Sequence, residues 1–262
     1  MLHYTVRGRE DGPALLFLHG FLGSGDDWNE IVDGLCGEYR CVTVDLPGHG
    51  ASRGLNGEAA YSMEGTAAAL HAVLDAEGID RCGVVGYSMG GRVALYFALN
   101  IPHRCRRLAL ESASPGLQEA VEREMRRGID EAHALRLEAD DFAAFLEDWY
   151  RQPIFASLES KPALRSRMIA SRICNEPGEL ARSLRGMGAG VQPPLWDRLD
   201  ELRMPTLFVA GALDGKYVEV AEQMAALSTY VRAAIIPNVG HTVHAEDPKQ
   251  FTDLLQDFFR AP

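Results

Sequence analysis

Short runs of apolar residues alternate along the chain with longer stretches whose apolar positions recur at helical spacing. The apolar runs are mostly continuous, which is typical of strands buried on both faces of a parallel sheet. The predicted strands are Leu2–Val6, Ala14–Leu18, Cys41–Val44, Cys82–Val85, Arg107–Leu110, Thr206–Ala210 and Ala233–Ile236. The predicted helices are Trp28–Leu35, Thr66–Ala76, Arg92–Leu99 and Lys249–Phe259. This alternation predicts an α/β fold with a mostly parallel, doubly wound sheet and a functional site at its carboxyl edge.

Residues 117–187 break this alternation, because they carry a helical pattern without a strand. They are predicted to form a helical cap inserted into a core made of residues 1–116 and 188–262. The cap holds 11 basic residues, 10 of them arginine, and 13 acidic residues. Most of these arginines are expected to pair along exposed helix faces, as Arg126 could with Glu122. One or two are expected to bind carboxylate or phosphate, for which the guanidinium geometry is well suited.

The stretch that joins the predicted strand Cys82–Val85 to the helix Arg92–Leu99 contains a Gly-x-Ser-x-Gly pattern. Its members are Gly86, Ser88 and Gly90. In a nucleophile elbow, a tight turn from strand to helix presents the serine alone, and the flanking positions must lack side chains. The N-terminus of the following helix favours a developing negative charge. Ser88 is therefore predicted to be the catalytic serine.

A serine hydroxyl needs a histidine to accept its proton and an acid to orient that histidine. In folds with this elbow the chain order is serine, acid, histidine. Asp214 and His241 each follow one of the last two predicted strands, so we predict a triad of Ser88, Asp214 and His241. Glu111 also ends a strand and is the alternative acid. His244 has no metal-type spacing and is interpreted as structural or as lining the rim of the site.

Two backbone N–H groups are expected to form an oxyanion hole beside the serine. One belongs to Met89, directly after the serine. The other belongs to Phe21, which follows His19-Gly20 at the end of a predicted strand. His49 lies in a tight loop that is typical of this fold and is interpreted as structural.

Charge and composition limit the partners of the chain. The net charge of −11 over 262 residues argues against nucleic acid and anionic membrane surfaces. We find no apolar run long enough to span a bilayer and no signal-peptide pattern. The five cysteines lack metal-type spacing and indicate reduced thiols in the cytoplasm. Neither a metal nor a cofactor is expected. Both a monomer and a small homo-oligomer are compatible with the sequence.

With these residues in place, the chain resembles the α/β-hydrolase fold superfamily over nearly its whole length. A serine at the elbow excludes the branches that use aspartate there. Several stretches more narrowly resemble the 2-succinyl-6-hydroxy-2,4-cyclohexadiene-1-carboxylate synthases of menaquinone biosynthesis. They are 18–24, 86–92, 114–118, 148–155 and 192–196. The Trp-Tyr-x-Gln-Pro-x-Phe run at 149–155 discriminates best, because caps vary most in this fold.

The resemblance implies a lyase that acts on a small polycarboxylate. The family's substrate, 2-succinyl-5-enolpyruvyl-6-hydroxy-3-cyclohexene-1-carboxylate, carries three carboxylates. The implied reaction removes the ring proton next to the succinyl ketone and expels pyruvate through the conjugated ring, without consuming water. Ser88 would act as a base, relayed by His241 and Asp214, while the Phe21 and Met89 N–H groups steady the enolate oxygen. The substrate-binding residues implied by the resemblance are Tyr87, Arg92, Arg126, Trp149 and Arg172.

The sequence leaves open other functions and other choices of substrate-binding arginine. The same triad would serve a serine carboxylesterase, a thioesterase or a C–C bond hydrolase, and the fold also hosts non-catalytic ligand receptors. The arginine-rich cap favours the lyase, because a lipophilic ester pocket should be lined by apolar residues. Arg123 and Arg127 are alternatives to Arg126, and the neighbouring arginines at positions 165 and 167 are alternatives to Arg172.

Overall fold

The computed structural model describes residues 1–260, and these contain a seven-stranded sheet. Its strands are β1 (Tyr4–Gly8), β2 (Ala14–Leu18), β3 (Arg40–Val44), β4 (Cys82–Tyr87), β5 (Cys105–Glu111), β6 (Thr206–Gly211) and β7 (Val231–Ile236). They lie in the order β1-β3-β2-β4-β5-β6-β7. Only β1 pairs antiparallel, with β3, so the predicted mostly parallel sheet is confirmed.

The order of the strands creates the crevice in which the site lies. β2 and β4 are neighbours in the sheet although β3 lies between them in the chain, so the chain leaves β2 and β4 toward opposite edges. Ligands of open α/β sheets bind outside the carboxyl ends of the strands at such a switch point. In the parallel pairing of β2 and β4, Leu18 at the end of β2 lies opposite Gly86 near the end of β4. The loops that carry Phe21 and Ser88 therefore start side by side.

Helices cover both faces of the sheet. They are α1 (Asn29–Leu35), α2 (Met63–Ala76), α3 (Met89–Asn100), α4 (Ala120–Ala139), α5 (Phe142–Trp149), α6 (Pro162–Arg172), α7 (Pro177–Met187), α8 (Gly215–Leu227), α9 (Val243–Glu246) and α10 (Pro248–Arg260). Apolar side chains of α2, α3 and α8 share one core with Val84, while those of α1 and α10 share the other with Val85. Successive strand residues thus point to opposite faces and are both buried, which explains the continuous apolar runs.

Between β5 and β6 the described chain forms helices α4 to α7 and no strand, as the sequence pattern predicts. These helices have an apolar cluster of their own, to which Leu137, Leu180 and Leu184 contribute. Leu22, from the loop after β2, is buried in the same cluster, so the helices contact the carboxyl edge of the sheet there. The boundaries of a separate cap at 117 and 187 stay a prediction. No described helix is long and apolar enough to cross a membrane.

Candidate active site

The turn between β4 and α3 has the strained geometry of a nucleophile elbow. Ser88 has φ 49° and ψ −109°, a conformation that residues with side chains rarely adopt. Its N–H donates a hydrogen bond to the Glu111 carbonyl at 2.8 Å, which ties the turn to β5. A Cβ at Gly86 would press on the backbone of Gly90, and one at Gly90 would overlap the Leu18 carbonyl. Both glycines are therefore required by the close approach of backbone segments.

The three residues of the predicted triad lie in hydrogen-bond contact. Asp214 Oδ2 is 2.7 Å from His241 Nδ1, and His241 Nε2 is 3.2 Å from Ser88 Oγ. Because a carboxylate only accepts hydrogen bonds, Nδ1 carries the proton and Nε2 is free to accept the serine's proton. His241 and Asp214 are buried, whereas Ser88 is partly exposed and accessible to a ligand. This arrangement can move a proton from Ser88 to His241.

The two predicted oxyanion donors have no hydrogen-bond acceptor among the described residues. Across residues 1–260, neither the Phe21 N–H nor the Met89 N–H donates a hydrogen bond to another residue. Gly20 brings the loop after β2 against Ser88, because a Cβ at Gly20 would lie 3.6 Å from the Ser88 Cβ. Unsatisfied N–H groups beside a catalytic serine suit a developing negative charge on oxygen. Their role in catalysis stays a prediction.

Two buried histidines fix the shape of this loop. His19 Nε2 accepts the Leu46 N–H at 2.9 Å, so its Nδ1–H donates to the Gly20 carbonyl at 2.7 Å. His49 Nε2 accepts the N–H of Leu22, which has a φ of 68°, at 3.1 Å. Burial lowers the pKa of both histidines, so both are neutral at pH 7 and can act as acceptors. The structural reading of His49 agrees with these contacts.

Arg92 is a cation that has no acidic partner in the part of the chain that the structure describes. Its Nη1 donates to the Met187 carbonyl at 2.8 Å and to Gln192 Oε1 at 3.2 Å, and both acceptors are neutral. No carboxylate of the described residues lies within ion-pair distance of this guanidinium. Burial lowers the pKa of Arg92 to about 10, which leaves it charged at pH 7. A partly buried cation with only neutral partners favours an anionic ligand.

Arg126 is linked through its partner Asp130 to the 187–192 loop that Arg92 also contacts. Arg92 binds the carbonyl of Met187, at the start of this loop. Arg126 Nε donates to Asp130 at 2.7 Å, and the other oxygen of Asp130 accepts the Gly190 N–H at 3.2 Å. The expected pairing of Arg126 with Glu122 is thus wrong, since Asp130, one turn further along α4, takes that place. Arg126 remains partly exposed and shares its charge with one carboxylate.

Arg172 has its charge balanced inside the protein. Both of its terminal nitrogens bind Asp27, with Nη2 at 2.9 Å from Oδ2, and Nε donates to the Tyr150 hydroxyl at 3.2 Å. Its side chain is 5% exposed. Burial alone would lower the pKa of Arg172, but Asp27 and Tyr150 outweigh it and the pKa is raised. Its contact with substrate stays a prediction, and its charge is already shared with Asp27.

The two predicted aromatic residues flank the triad and the oxyanion loop. The ring of Tyr87, directly before the serine, is buried with its centroid 5.4 Å from that of His241. Trp149, at the end of α5, lies with its ring centroid 5.1 Å from that of Phe21. Trp149 therefore brings the helical segment over one of the predicted oxyanion donors. Their contact with substrate stays a prediction.

Glu111, the alternative acid, is used elsewhere. Its carboxylate accepts the His244 N–H at 3.0 Å and the His244 Nδ1–H at 2.9 Å, and both residues are buried. It therefore holds the chain just after His241 and does not orient His241 itself. The structural interpretation of His244 fits this pair. No group of three or more His, Cys, Asp or Glu side chains in the described part of the chain is arranged to hold a metal.

Three residues near the site were missed in the sequence. The Tyr217 and Phe155 rings lie 4.9 and 5.8 Å from the His241 ring, and Gln192 holds Arg92. Tyr217 lies on α8, which the apolar pattern did not predict. Its position three residues after Asp214 was the available signal, because the turn after the catalytic acid must face the histidine. Phe155 and Gln192 lie in stretches that carried the resemblance, although no role was attached to either.

Comparisons with known proteins agree with this geometry. A family model described as alpha/beta hydrolase fold matches residues 13–248. The 2-succinyl-6-hydroxy-2,4-cyclohexadiene-1-carboxylate synthase of Serratia proteamaculans is 34% identical over 257 residues, which cover 98% of this chain and 96% of that protein. The chain belongs to this synthase family within the α/β-hydrolase fold. The resemblance inferred from the motifs is thereby confirmed.

Two further relatives show how far the similarity extends. The solved structure of MenH from S. aureus superposes with a TM-score of 0.94 at 35% identity, covering 99% of this chain and 98% of that one. Protein PHYLLO of Arabidopsis thaliana is 34% identical over 271 residues, but this chain spans 16% of its length. The synthase family thus shares the whole fold described above, including the helical segment between β5 and β6.

Proposed function

We propose that this chain is a lyase that eliminates pyruvate from 2-succinyl-5-enolpyruvyl-6-hydroxy-3-cyclohexene-1-carboxylate, giving 2-succinyl-6-hydroxy-2,4-cyclohexadiene-1-carboxylate. One observation carries the proposal. Ser88, which is hydrogen-bonded to His241 and through it to Asp214, lies one helical turn before Arg92, a guanidinium with no carboxylate partner among the described residues. The names of the relatives support the same reaction. The partner is then a small polycarboxylate, the location is the cytoplasm and the enzyme needs no cofactor.

In the first step Ser88 removes a proton from carbon. His241 Nε2, 3.2 Å from Ser88 Oγ, takes the hydroxyl proton, while the Asp214 carboxylate stabilises the imidazolium that forms. The serine oxygen takes the ring proton next to the succinyl ketone. The negative charge then moves to the ketone oxygen, where the Phe21 and Met89 N–H groups donate hydrogen bonds to it.

The second step breaks the bond to the leaving group. Electrons from the enolate form a ring double bond, shift the existing one and expel the enolpyruvyl oxygen. The proton taken from the ring, now held by His241 or Ser88, balances the one that pyruvate enolate needs to become pyruvate. No water is consumed and no acyl-enzyme forms, so Ser88 acts as a base throughout.

Substrate binding relies on cations near the serine. In this proposal Arg92 and Arg126 each bind one carboxylate, which is supported by the contact of Arg92, and of Asp130 as the partner of Arg126, with the same 187–192 loop. Tyr87 and Trp149 supply apolar walls beside His241 and Phe21. Arg172 is already paired with Asp27 through both terminal nitrogens, so a substrate carboxylate bound there would share the guanidinium with Asp27.

The experiment measures pyruvate released by the purified chain from the enolpyruvyl substrate, with and without deuterium on the ring carbon next to the succinyl ketone. We expect pyruvate and conjugated diene in equal amounts and a slower reaction with the deuterated substrate. Absence of pyruvate would refute the proposal, and an unchanged rate would show that Ser88 does not remove this proton in the slow step.

Hydrolysis of an ester or C–C bond is the second candidate function, favoured by the two unused N–H groups beside Ser88. Hydrolysis consumes water, whereas the proposed elimination does not. A hydrolase reaction run in ¹⁸O-labelled water places label in the acid product, whereas the proposed elimination places none in the diene. Rapid hydrolysis of p-nitrophenyl esters without pyruvate release would decide for the hydrolase.

A further inference from the structure

The cations assigned to the substrate leave one of its carboxylates without a partner. The proposed substrate carries three carboxylates. Arg92 has only neutral partners, whereas Arg126 already shares its charge with Asp130. Arg172 is held by Asp27 through both terminal nitrogens and is buried. A further cation that has no carboxylate partner would complete the site without breaking an existing ion pair.

Lys216 has the required position. It lies two residues after Asp214, in the first turn of α8. Its Nζ is 5.3 Å from the centroid of the Tyr217 ring, and the Tyr217 ring centroid is 4.9 Å from that of His241. These two contacts place the ammonium group one aromatic ring away from the histidine of the triad, on the side of Tyr217.

Lys216 also has the required freedom. Its residue is exposed, and its ammonium forms no ion pair or hydrogen bond with any of residues 1–260. A cation in the first turn of a helix is unfavourable there, because it faces the positive end of the helix dipole. Asp214 is close, but its Oδ2 is bound to His241 Nδ1. Neither a helix-capping role nor an ion pair therefore accounts for this lysine.

The charges around Lys216 are those of the proposed site. Although the residue as a whole is exposed, neighbouring atoms partly desolvate the Lys216 ammonium and lower its pKa; Arg126 and Arg92 lower the pKa further, and Asp214 raises it. The same two arginines act on the neighbouring Tyr217. The three positive charges therefore act on one another, and a polyanion bound between them would relieve their mutual repulsion.

We propose that Lys216 is a substrate-binding residue, which takes one carboxylate of the substrate at the Tyr217 side of the triad while Arg92 and Arg126 take the others. This assignment rests on the proposed function for the identity of the substrate. In this assignment the turn after Asp214 recognises the third carboxylate. The ion pair between Arg172 and Asp27 is not broken.

The test compares Lys216→Gln, Lys216→Arg and Lys249→Gln. Lys249 is an exposed lysine paired with Asp253 and serves as the control for loss of one positive charge. For pyruvate release, Lys216→Gln should raise KM about tenfold or more with kcat changed less than about threefold, because the charge binds and does not react. Lys216→Arg should restore KM to within about threefold, and Lys249→Gln should stay within about twofold of the wild type.

A KM of Lys216→Gln within about twofold of the wild type would overturn the assignment. Titration calorimetry with propane-1,2,3-tricarboxylate separates this result from failure of the proposed function. If the wild type releases no pyruvate, the proposed function fails, and the calorimetric comparison alone decides on Lys216. An affinity about tenfold weaker in Lys216→Gln than in Lys249→Gln supports an anion site. Equal affinities, or no binding by the wild type, overturn it.

Discussion

Replacement of Arg92 by alanine should weaken substrate binding and the fold by separable amounts. The guanidinium is charged and has no carboxylate partner in the described chain, so a bound carboxylate would gain a charge-assisted hydrogen bond of about 1.5–3 kcal/mol. At about 1.4 kcal/mol per factor of ten, kcat/KM should fall roughly 10- to 150-fold. The variant also loses the bonds to Met187 and Gln192, each about 0.5–1.5 kcal/mol of unfolding free energy.

The assay is pyruvate release at several substrate concentrations, with thermal unfolding of the same samples. Arg198→Ala is the matched control, because Arg198 also donates to a backbone carbonyl, that of Leu99, but pairs with Glu201. Both variants should lose a few degrees of Tm, at roughly 2–4 °C per kcal/mol for a chain of this size. Only Arg92→Ala should lose kcat/KM. Equal kcat/KM in Arg92→Ala and Arg198→Ala would refute the role of Arg92.

Three further predictions concern buried groups around the site. Burial alone would lower the pKa of His244, but Glu111 outweighs this effect and raises the pKa above 6.5. The pair therefore stabilises the fold fully below about pH 6.5, and this stabilisation is lost as the pH rises through the folded-state pKa. Glu111→Gln should therefore lower Tm most at pH 6 and least at pH 9 in calorimetric scans, and a pH-independent difference would contradict this. Asp27→Asn should cost about 3–5 kcal/mol in urea unfolding, because Arg172 is left buried and unpaired; a loss below about 1 kcal/mol would contradict it. Gly90→Ala should abolish pyruvate release, because the added Cβ overlaps backbone carbonyls at the elbow, and activity near that of the wild type would show that the elbow relaxes.

The fold and the candidate triad could be predicted because both depend on patterns that are local in the sequence. Continuous apolar runs marked the parallel strands, and the polar residues at their carboxyl ends include Ser88, Asp214 and His241. A doubly wound sheet brings those ends to one edge whatever the details of packing. In the structure these residues lie 2.7 and 3.2 Å apart in hydrogen-bond contact.

The charged groups were predicted less well, because ion pairing depends on contacts distant in sequence. Arg172 pairs with Asp27, 145 residues away in the chain, and no local pattern signals this. Lys216 was overlooked because α8 has no clear apolar face in its first turn, where Tyr217 is the buried residue. The pairing of Arg126 with Asp130 follows the same i,i+4 rule as the expected pair with Glu122, but in the other direction along α4.

The role of Ser88 in the elimination is tested most directly by comparing the wild type with Ser88→Ala. Pyruvate release from the enolpyruvyl substrate is followed for the wild type and for Ser88→Ala, with circular dichroism to show that both are folded. We expect the wild type to release one pyruvate for each diene formed, and Ser88→Ala to lose about a hundredfold or more of the rate. No pyruvate from the wild type, or an undiminished rate in Ser88→Ala, would contradict a serine base that drives elimination.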